Sequence, residues 1–202
     1  MVDTNEITVN MVDTNEITMN TKRHGSLHVV LGPMFSGKTT RLIHIYHARK
    51  YIGKKIAVIN YSEDKRYHTK MLSTHDQVMI PCIQISQLDG FDCSPYDSIL
   101  INEGQFFGDL YTHVLDYVEK YNKEVYIFGL DGDFLRNKFG SVLDLIPYSD
   151  SVEKLTALCS TCRDGTLAHF SHRLTGELEQ LVIGADNYNS LCRKCYLHCY
   201  KK

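Results

Sequence analysis

No apolar stretch in this chain approaches the roughly 20 residues that a helix needs to cross a bilayer. The N-terminus is polar where a secretory signal would need a greasy core. These absences exclude a membrane-spanning or secreted design, and a soluble, cytoplasmic protein is expected. Excess charge is missing as well. Lysine plus arginine number 22 against 24 aspartate plus glutamate, so no global field exists to hold a polyanion by counterion release, and no nucleic-acid partner is expected. Internal repetition is slight: residues 1–10 recur as residues 11–20, with Val9 replaced by Met19. A repeat architecture needs longer units and more of them. Residues 1–25 are therefore expected to be a disordered, duplicated extension, or to contain a second start at Met11, with folding from near Ser26.

What the chain has is a phosphate-binding loop. Gly32-Pro33-Met34-Phe35-Ser36-Gly37-Lys38-Thr39 matches G-x-x-x-x-G-K-[ST] and follows an apolar run, residues 27–31, that reads as a buried strand. The two glycines let the backbone curl so that successive N–H groups face one anion. Lys38 neutralises phosphate charge, and the Thr39 hydroxyl offers an oxygen to magnesium. A nucleoside triphosphate is the expected ligand. With 202 residues and 43% hydrophobic content the chain can build a real core. Strand-like runs at 55–61, 97–102 and 124–130 alternate with helix-like runs at 39–50 and 110–121. Ile56-Ala57-Val58-Ile59 and Val125-Tyr126-Ile127-Phe128 are apolar on successive positions, as strands covered on both faces are. The expected class is α/β: a P-loop parallel sheet flanked by helices over residues 26–150, with a smaller module over 151–202.

Seven cysteines, an odd number, argue against a disulfide framework and for thiols kept reduced or bound to metal. Cys159-Ser160-Thr161-Cys162 and Cys192-Arg193-Lys194-Cys195 are two C-x-x-C knuckles, the ligand grammar of a tetrahedral structural zinc site. A redox pair would explain one knuckle alone, but not two. Four thiolates leave no open position, so such a zinc is structural, worth on the order of 10 kcal/mol to the small module. The knuckles close a long loop over residues 163–191. Cys199 competes with Cys195 for the register, whereas Cys82 and Cys93 read as buried thiols.

The apolar run Ser98-Ile99-Leu100-Ile101 ends in Asn102-Glu103. Strand-end acids commonly reach magnesium beside a phosphate loop. Asn102 offers an oxygen without charge, so Glu103 is the candidate base, a contribution of about 10² to 10⁴ in rate. Asp64, Arg66 and His75 lie in the polar segment 62–76, read as a loop, where an arginine could stabilise a transferring phosphoryl group. Phe106, Phe107, Phe134 and Phe139 lie beside Gly104, Gly132 and Gly140, and are read as core or as walls for a stacked base.

From Ser26 to the C-terminus the chain closely resembles the thymidine kinases of the cytosolic eukaryotic, bacterial and poxviral type. The phosphate loop carries the likeness, with Asp64-Lys65-Arg66-Tyr67, Thr74-His75-Asp76, Glu103-Gly104-Gln105-Phe106-Phe107 and Leu130-Asp131-Gly132. Lys154-Leu155-Thr156-Ala157, Gly184-Ala185-Asp186 with Tyr188, and Cys192-Arg193-Lys194-Cys195-Tyr196 extend it. The resemblance implies transfer of the γ-phosphate of ATP to the 5′-hydroxyl of thymidine or deoxyuridine, in a homotetramer whose C-terminal part is a zinc-binding lasso domain. It implies Glu103 as base, with Arg66 also catalytic. The phosphate loop would hold the donor together with Asp64, Lys65, Arg66, Asn102, Gly104 and Gln105, and Thr39 and Asn102 would take magnesium. Backbone at Glu179, Gln180, Leu181, Val182 and Ile183 would meet the thymine edge. Phe106, Leu130, Phe134, Phe139 and Tyr188 would wall the nucleoside, with Met34 and Ser171 near the methyl group. Feedback by thymidine triphosphate is a further implication. Three departures stand out: Asn102 replaces the family's Asp, the segment between Cys162 and Arg173 is longer, and Ile183 stands where the lasso has glycine. A P-loop GTPase or ATPase switch with a zinc ribbon is the alternative. Guanine recognition would require an Asn-Lys-x-Asp element, and Asn137-Lys138-Phe139-Gly140 lacks the acid.

Overall fold

Aliphatic residues on successive positions build the centre of the molecule, seen in a computed structural model that describes residues 24–62, 71–73, 78–182, 184 and 186–199. The duplicated N-terminal segment, Asp64, Lys65, Arg66, His75 and Ile183 lie outside the described residues. Strand β1 (Ser26–Leu31) runs through the glycine loop into α1 (Lys38–Tyr51), and β2 (Ile56–Tyr61) follows. A ribbon of β3 (Met71–Ser73) and β4 (Met79–Pro81) precedes β5 (Ile83–Ile85) and β6 (Ser98–Ile101). Helix α2 (Leu110–Leu115), β7 (Glu124–Gly129) and β8 (Ser151–Lys154) complete the layer. The six-stranded sheet has the order β5-β2-β6-β7-β1-β8, and every neighbouring pair is parallel.

Alternate residues of the same strands serve two cores. Val30, Val58, Leu100 and Phe128 pack with Leu42, Ile43 and Ile45 of α1. Val29, Ile59, Ile101 and Ile127 belong to a second cluster with Leu110 and Val114 of α2. Burying each such side chain contributes about 1.5–3 kcal/mol, which is why the strands lack polar alternation.

The small module consists of two antiparallel ribbons, β9 (Ala157–Leu158) with β10 (Leu167–Ala168) and β11 (Phe170–Arg173) with β12 (Tyr188–Leu191), and of helix α3 (Arg193–Cys199). Its core is little more than Ala157, Ala168, Leu191 and Tyr196 around the cysteines. So small a core needs a staple.

Three elements differ from the sequence expectation. The main sheet extends past residue 150, because β8 pairs with β1 from His28 to Leu31; its exposed, polar edge carries no apolar signature. In the segment 62–76 read as loop lies β3, which pairs with β4 beyond it and places the buried Leu72 opposite Ile80. The run 110–121 remains helical but widens into a π-helical turn at Asp116–Lys120, where Tyr117 is buried and its hydroxyl donates to the Leu88 carbonyl at 3.3 Å.

Candidate active site

The loop after β1 owes its shape to its glycines. A Cβ on Gly32 would lie 2.6 Å from Ser36 Oγ and 2.9 Å from the Leu155 carbonyl oxygen, so only glycine allows that approach. Gly37, at φ 82°, begins α1 in the left-handed region. No acidic residue occupies the first turn of α1, which leaves its positive end unopposed. Lys38 is buried beneath the loop, and its Nζ donates to the carbonyls of Gly32 at 3.0 Å and Pro33 at 2.8 Å. Thr39 follows in the same turn. Ser36 Oγ is buried and has no hydrogen-bond partner among the described residues. A buried hydroxyl over a helix N-terminus fits a phosphate oxygen.

Adjacent strands deliver the polar ends. Asn102, just past β6, is buried, and its Nδ2 donates to Asn60 Oδ1 at 2.8 Å. Glu103 is 9% exposed and adopts φ 52°, ψ 46°, the left-handed conformation that a side chain with a Cβ rarely takes. Gln105 Nε2 donates to Glu103 Oε2 at 2.7 Å, and its Oε1 accepts the Leu130 N–H at 3.1 Å. Gln105, expected beside the nucleotide, thus uses both ends of its amide to fasten the carboxylate to the end of β7. Gly140 packs on the backbone of Gln105, where a Cβ would come within 2.4 Å of the Gln105 carbonyl.

A narrow cleft opens beside these groups. It is lined by Met34, Glu103, Gln105, Phe106, Leu130 and Phe139, together with Gln180, Val182 and Gly184 of the loop between β11 and β12 and Tyr188 at the start of β12. Phe106 meets Phe139 edge-on at 5.6 Å and Tyr61 at 5.4 Å. Phe107 is in the core. Two roomier clefts, one along α3 and one between α1 and the β1–β8 edge, lie away from the phosphate loop.

Of the expected wall residues, Phe134 is not among those lining this cleft. Phe134 lies under the Arg173 guanidinium, 3.9 Å from its ring centroid. Ser171 Oγ accepts the Met34 N–H at 3.0 Å. Leu181 is 42% exposed, and the Glu179 carbonyl accepts from Arg173. The Gln180 side chain ties the loop down, donating to Asp133 Oδ2 at 2.8 Å and to the Lys138 carbonyl at 3.1 Å. Asp133 and Arg173 were not legible beforehand, because their partners are mostly backbone groups.

Cys159, Cys162, Cys192 and Cys195 converge with all four sulfurs within 4.8 Å of one another, and Cys199 is exposed outside the cluster. Cys162 Sγ is 3.8 Å from that of Cys192 and 3.5 Å from that of Cys195. A tetrahedral zinc with Zn–S distances of ~2.3 Å sets its sulfurs about 3.8 Å apart, so the donor set fits that ion. Burial opposes charge on Cys159, yet N–H groups of Cys192, Cys162 and Thr161 directed at its sulfur bring the thiol down to about 6. Hydrogen bonding with Cys162 and then Cys192 pushes Cys195 up to about 12. A shared divalent cation resolves that conflict.

A glycine-lysine loop at the head of a parallel sheet and a strand-end carboxylate beside it define a P-loop nucleotide-binding protein, whose C-terminal module carries a four-cysteine cluster compatible with zinc. The model of the family described as thymidine kinase matches residues 25–196. The chain is 41% identical over 181 residues to thymidine kinase a of Arabidopsis thaliana, covering 86% of this chain and 75% of that one. It is 41% identical over 177 residues to the thymidine kinase of Yaba monkey tumor virus (strain VR587), covering 86% and 96%. With the cytosolic thymidine kinase of Bos taurus it shares 39% over 180 residues, covering 87% and 74%. The chain belongs to the thymidine kinase family. No helix among the described residues is long and apolar enough to cross a membrane.

Proposed function

We propose that this protein transfers the γ-phosphoryl group of ATP to the 5′-hydroxyl of thymidine or deoxyuridine, giving the 5′-monophosphate and ADP for DNA precursor synthesis. The observation that carries this reading is the position of Glu103, which lines one cleft together with Met34 of the phosphate loop and with Val182 and Tyr188. A nucleoside in that cleft would lie between Phe106, Phe139 and the loop, with its primary alcohol near the carboxylate.

In this scheme the loop amides, Ser36 and Lys38 cradle the donor phosphates, and Glu103 accepts the proton of the attacking hydroxyl. Gln105 orients the carboxylate. Magnesium, held by the Thr39 hydroxyl and the Asn102 amide oxygen, would neutralise charge on the β- and γ-phosphates. Asp64, Lys65 and Arg66 would complete the donor site, and backbone groups at 179–183 would read the pyrimidine edge. Zinc on the four thiolates would hold the lobe that carries this loop. A cytoplasmic homotetramer with feedback by thymidine triphosphate fits the same reading. The switch-protein alternative is not the better supported.

Incubation with γ-labelled ATP and a panel of nucleosides tests the assignment. Label is expected in thymidine 5′-monophosphate. Release of inorganic phosphate alone, or stabilisation against heat by GTP but not by thymidine with ATP, would overturn it.

A further inference from the structure

Strand β11 alternates half-buried and buried residues, so Ser171 and Arg173 point to the same interior side. Ser171 meets the phosphate loop, while Arg173 meets the loop that covers the cleft. An arginine that is only 5% exposed needs partners for its planar fork, and among the described residues these are backbone carbonyls and a hydroxyl. Nη1 donates to the carbonyls of Glu177, at 3.0 Å, and Glu179. Nη2 donates to the Gln180 carbonyl at 3.1 Å and to the Tyr188 hydroxyl at 2.6 Å. Tyr188 passes the arrangement on, since its own hydroxyl donates to the Val182 carbonyl at 2.9 Å. The guanidinium lies 3.9 Å from the ring centroid of Phe134 and 5.2 Å from that of Tyr188.

Three carbonyls drawn to one cation impose a curl on a segment that has almost no side-chain core: Leu178 is 85% exposed. In a trans peptide the carbonyl of one residue and the N–H of the next point in opposite directions. Turning the carbonyls of Glu179 and Gln180 inward therefore turns the N–H groups of Gln180 and Leu181 outward as donors.

We propose that Arg173 is a positioning residue for the nucleoside: it shapes the 174–187 loop through backbone carbonyls and so sets affinity for the acceptor, while leaving the ATP side and the chemical step alone. This rests on the reading of the cleft as the nucleoside site. Lysine keeps the charge but lacks the fork, and it cannot reach four acceptors from one plane.

Arg173→Lys and Arg173→Met test the idea in the full-length, metal-loaded protein. Both are expected to raise KM for thymidine at least about tenfold, with kcat and KM for ATP within about threefold, the signature of lost ground-state binding. Cleavage by a glutamate-specific protease after Glu177 and Glu179, with no nucleoside present, is expected to be at least about tenfold faster than in the wild type, because loop opening becomes easier. Zinc content checks that the lobe is intact. Unchanged KM for thymidine in both variants, or equal loss toward both substrates, would overturn the proposal. So would wild-type cleavage rates, and that readout holds even if thymidine proved not to be the substrate. A wild type that fails to phosphorylate thymidine would instead overturn the function assigned to the cleft.

Discussion

Ser171 Oγ accepts the backbone N–H of Met34 at 3.0 Å, joining the cysteine-knuckle lobe to the phosphate loop through a part-buried hydrogen bond. The donor and acceptor sides of the cleft are thus mechanically linked across residues far apart in sequence. Ser171→Ala leaves the Met34 amide without its partner, and loss of a part-buried hydrogen bond costs about 1 kcal/mol. The variant is expected to lose that much in denaturant unfolding, while Ser171→Thr retains most of it. Equal midpoints for alanine and wild type would show that the bond contributes nothing.

Glu103→Gln keeps the shape of the side chain and removes the base. Turnover is expected to fall about a hundredfold or more, with thymidine affinity nearly unchanged, on the magnitude of general-base catalysis. Steady-state kinetics with direct nucleoside binding would separate the two effects. Full turnover in the variant would remove Glu103 from the mechanism.

The cysteine cluster predicts a stoichiometric metal. Freshly purified reduced protein is expected to hold zinc bound by the four thiolates, and Cys195→Ser to hold far less. Because thiols must lose protons to bind metal, acidification with a chelator should strip the ion, and reloading should release protons. Loss of on the order of 10 kcal/mol from a lobe with so small a core should unfold it. Circular dichroism and thymidine affinity should fall together. Metal analysis finding no zinc would refute the site.

Away from the cleft, Glu124 accepts hydrogen bonds from Arg49, Lys54 and Ser98 at the start of β7. Burial pushes its pKa up, but these donors, Arg49 foremost, prevail and bring it from 4.5 to about 2. A carboxyl with a depressed folded-state pKa stabilises the fold fully above its unfolded value, and the contribution is lost as pH falls from 4.5 through about 2. The shift amounts to roughly 3 kcal/mol. Glu124→Gln should be destabilised by about that much at neutral pH, and its deficit should shrink across the acid window. A constant deficit at every pH would point to packing instead.

Much of this was written in covalent spacing. The phosphate loop and the two cysteine knuckles impose their geometry within a few residues, so their chemistry is readable without a fold. The central strands announced themselves because both faces are covered. Arg173 did not: its acceptors are carbonyls that every residue possesses, and only the fold shows which ones it gathers. Strand β8 was hidden because its outer edge is polar, and the β3–β4 ribbon because three-residue strands show no period. Gln105 matched a motif, but its attachment to Glu103 and Leu130 depends on two strand ends meeting.

The left-handed backbone at Glu103 sets two demands against each other. That conformation suits glycine and asparagine, and neither can take up a proton; holding a longer side chain there costs about 1–2 kcal/mol. Exchange of Glu103 for glycine or asparagine is therefore expected to firm the fold while removing the carboxylate from the cleft.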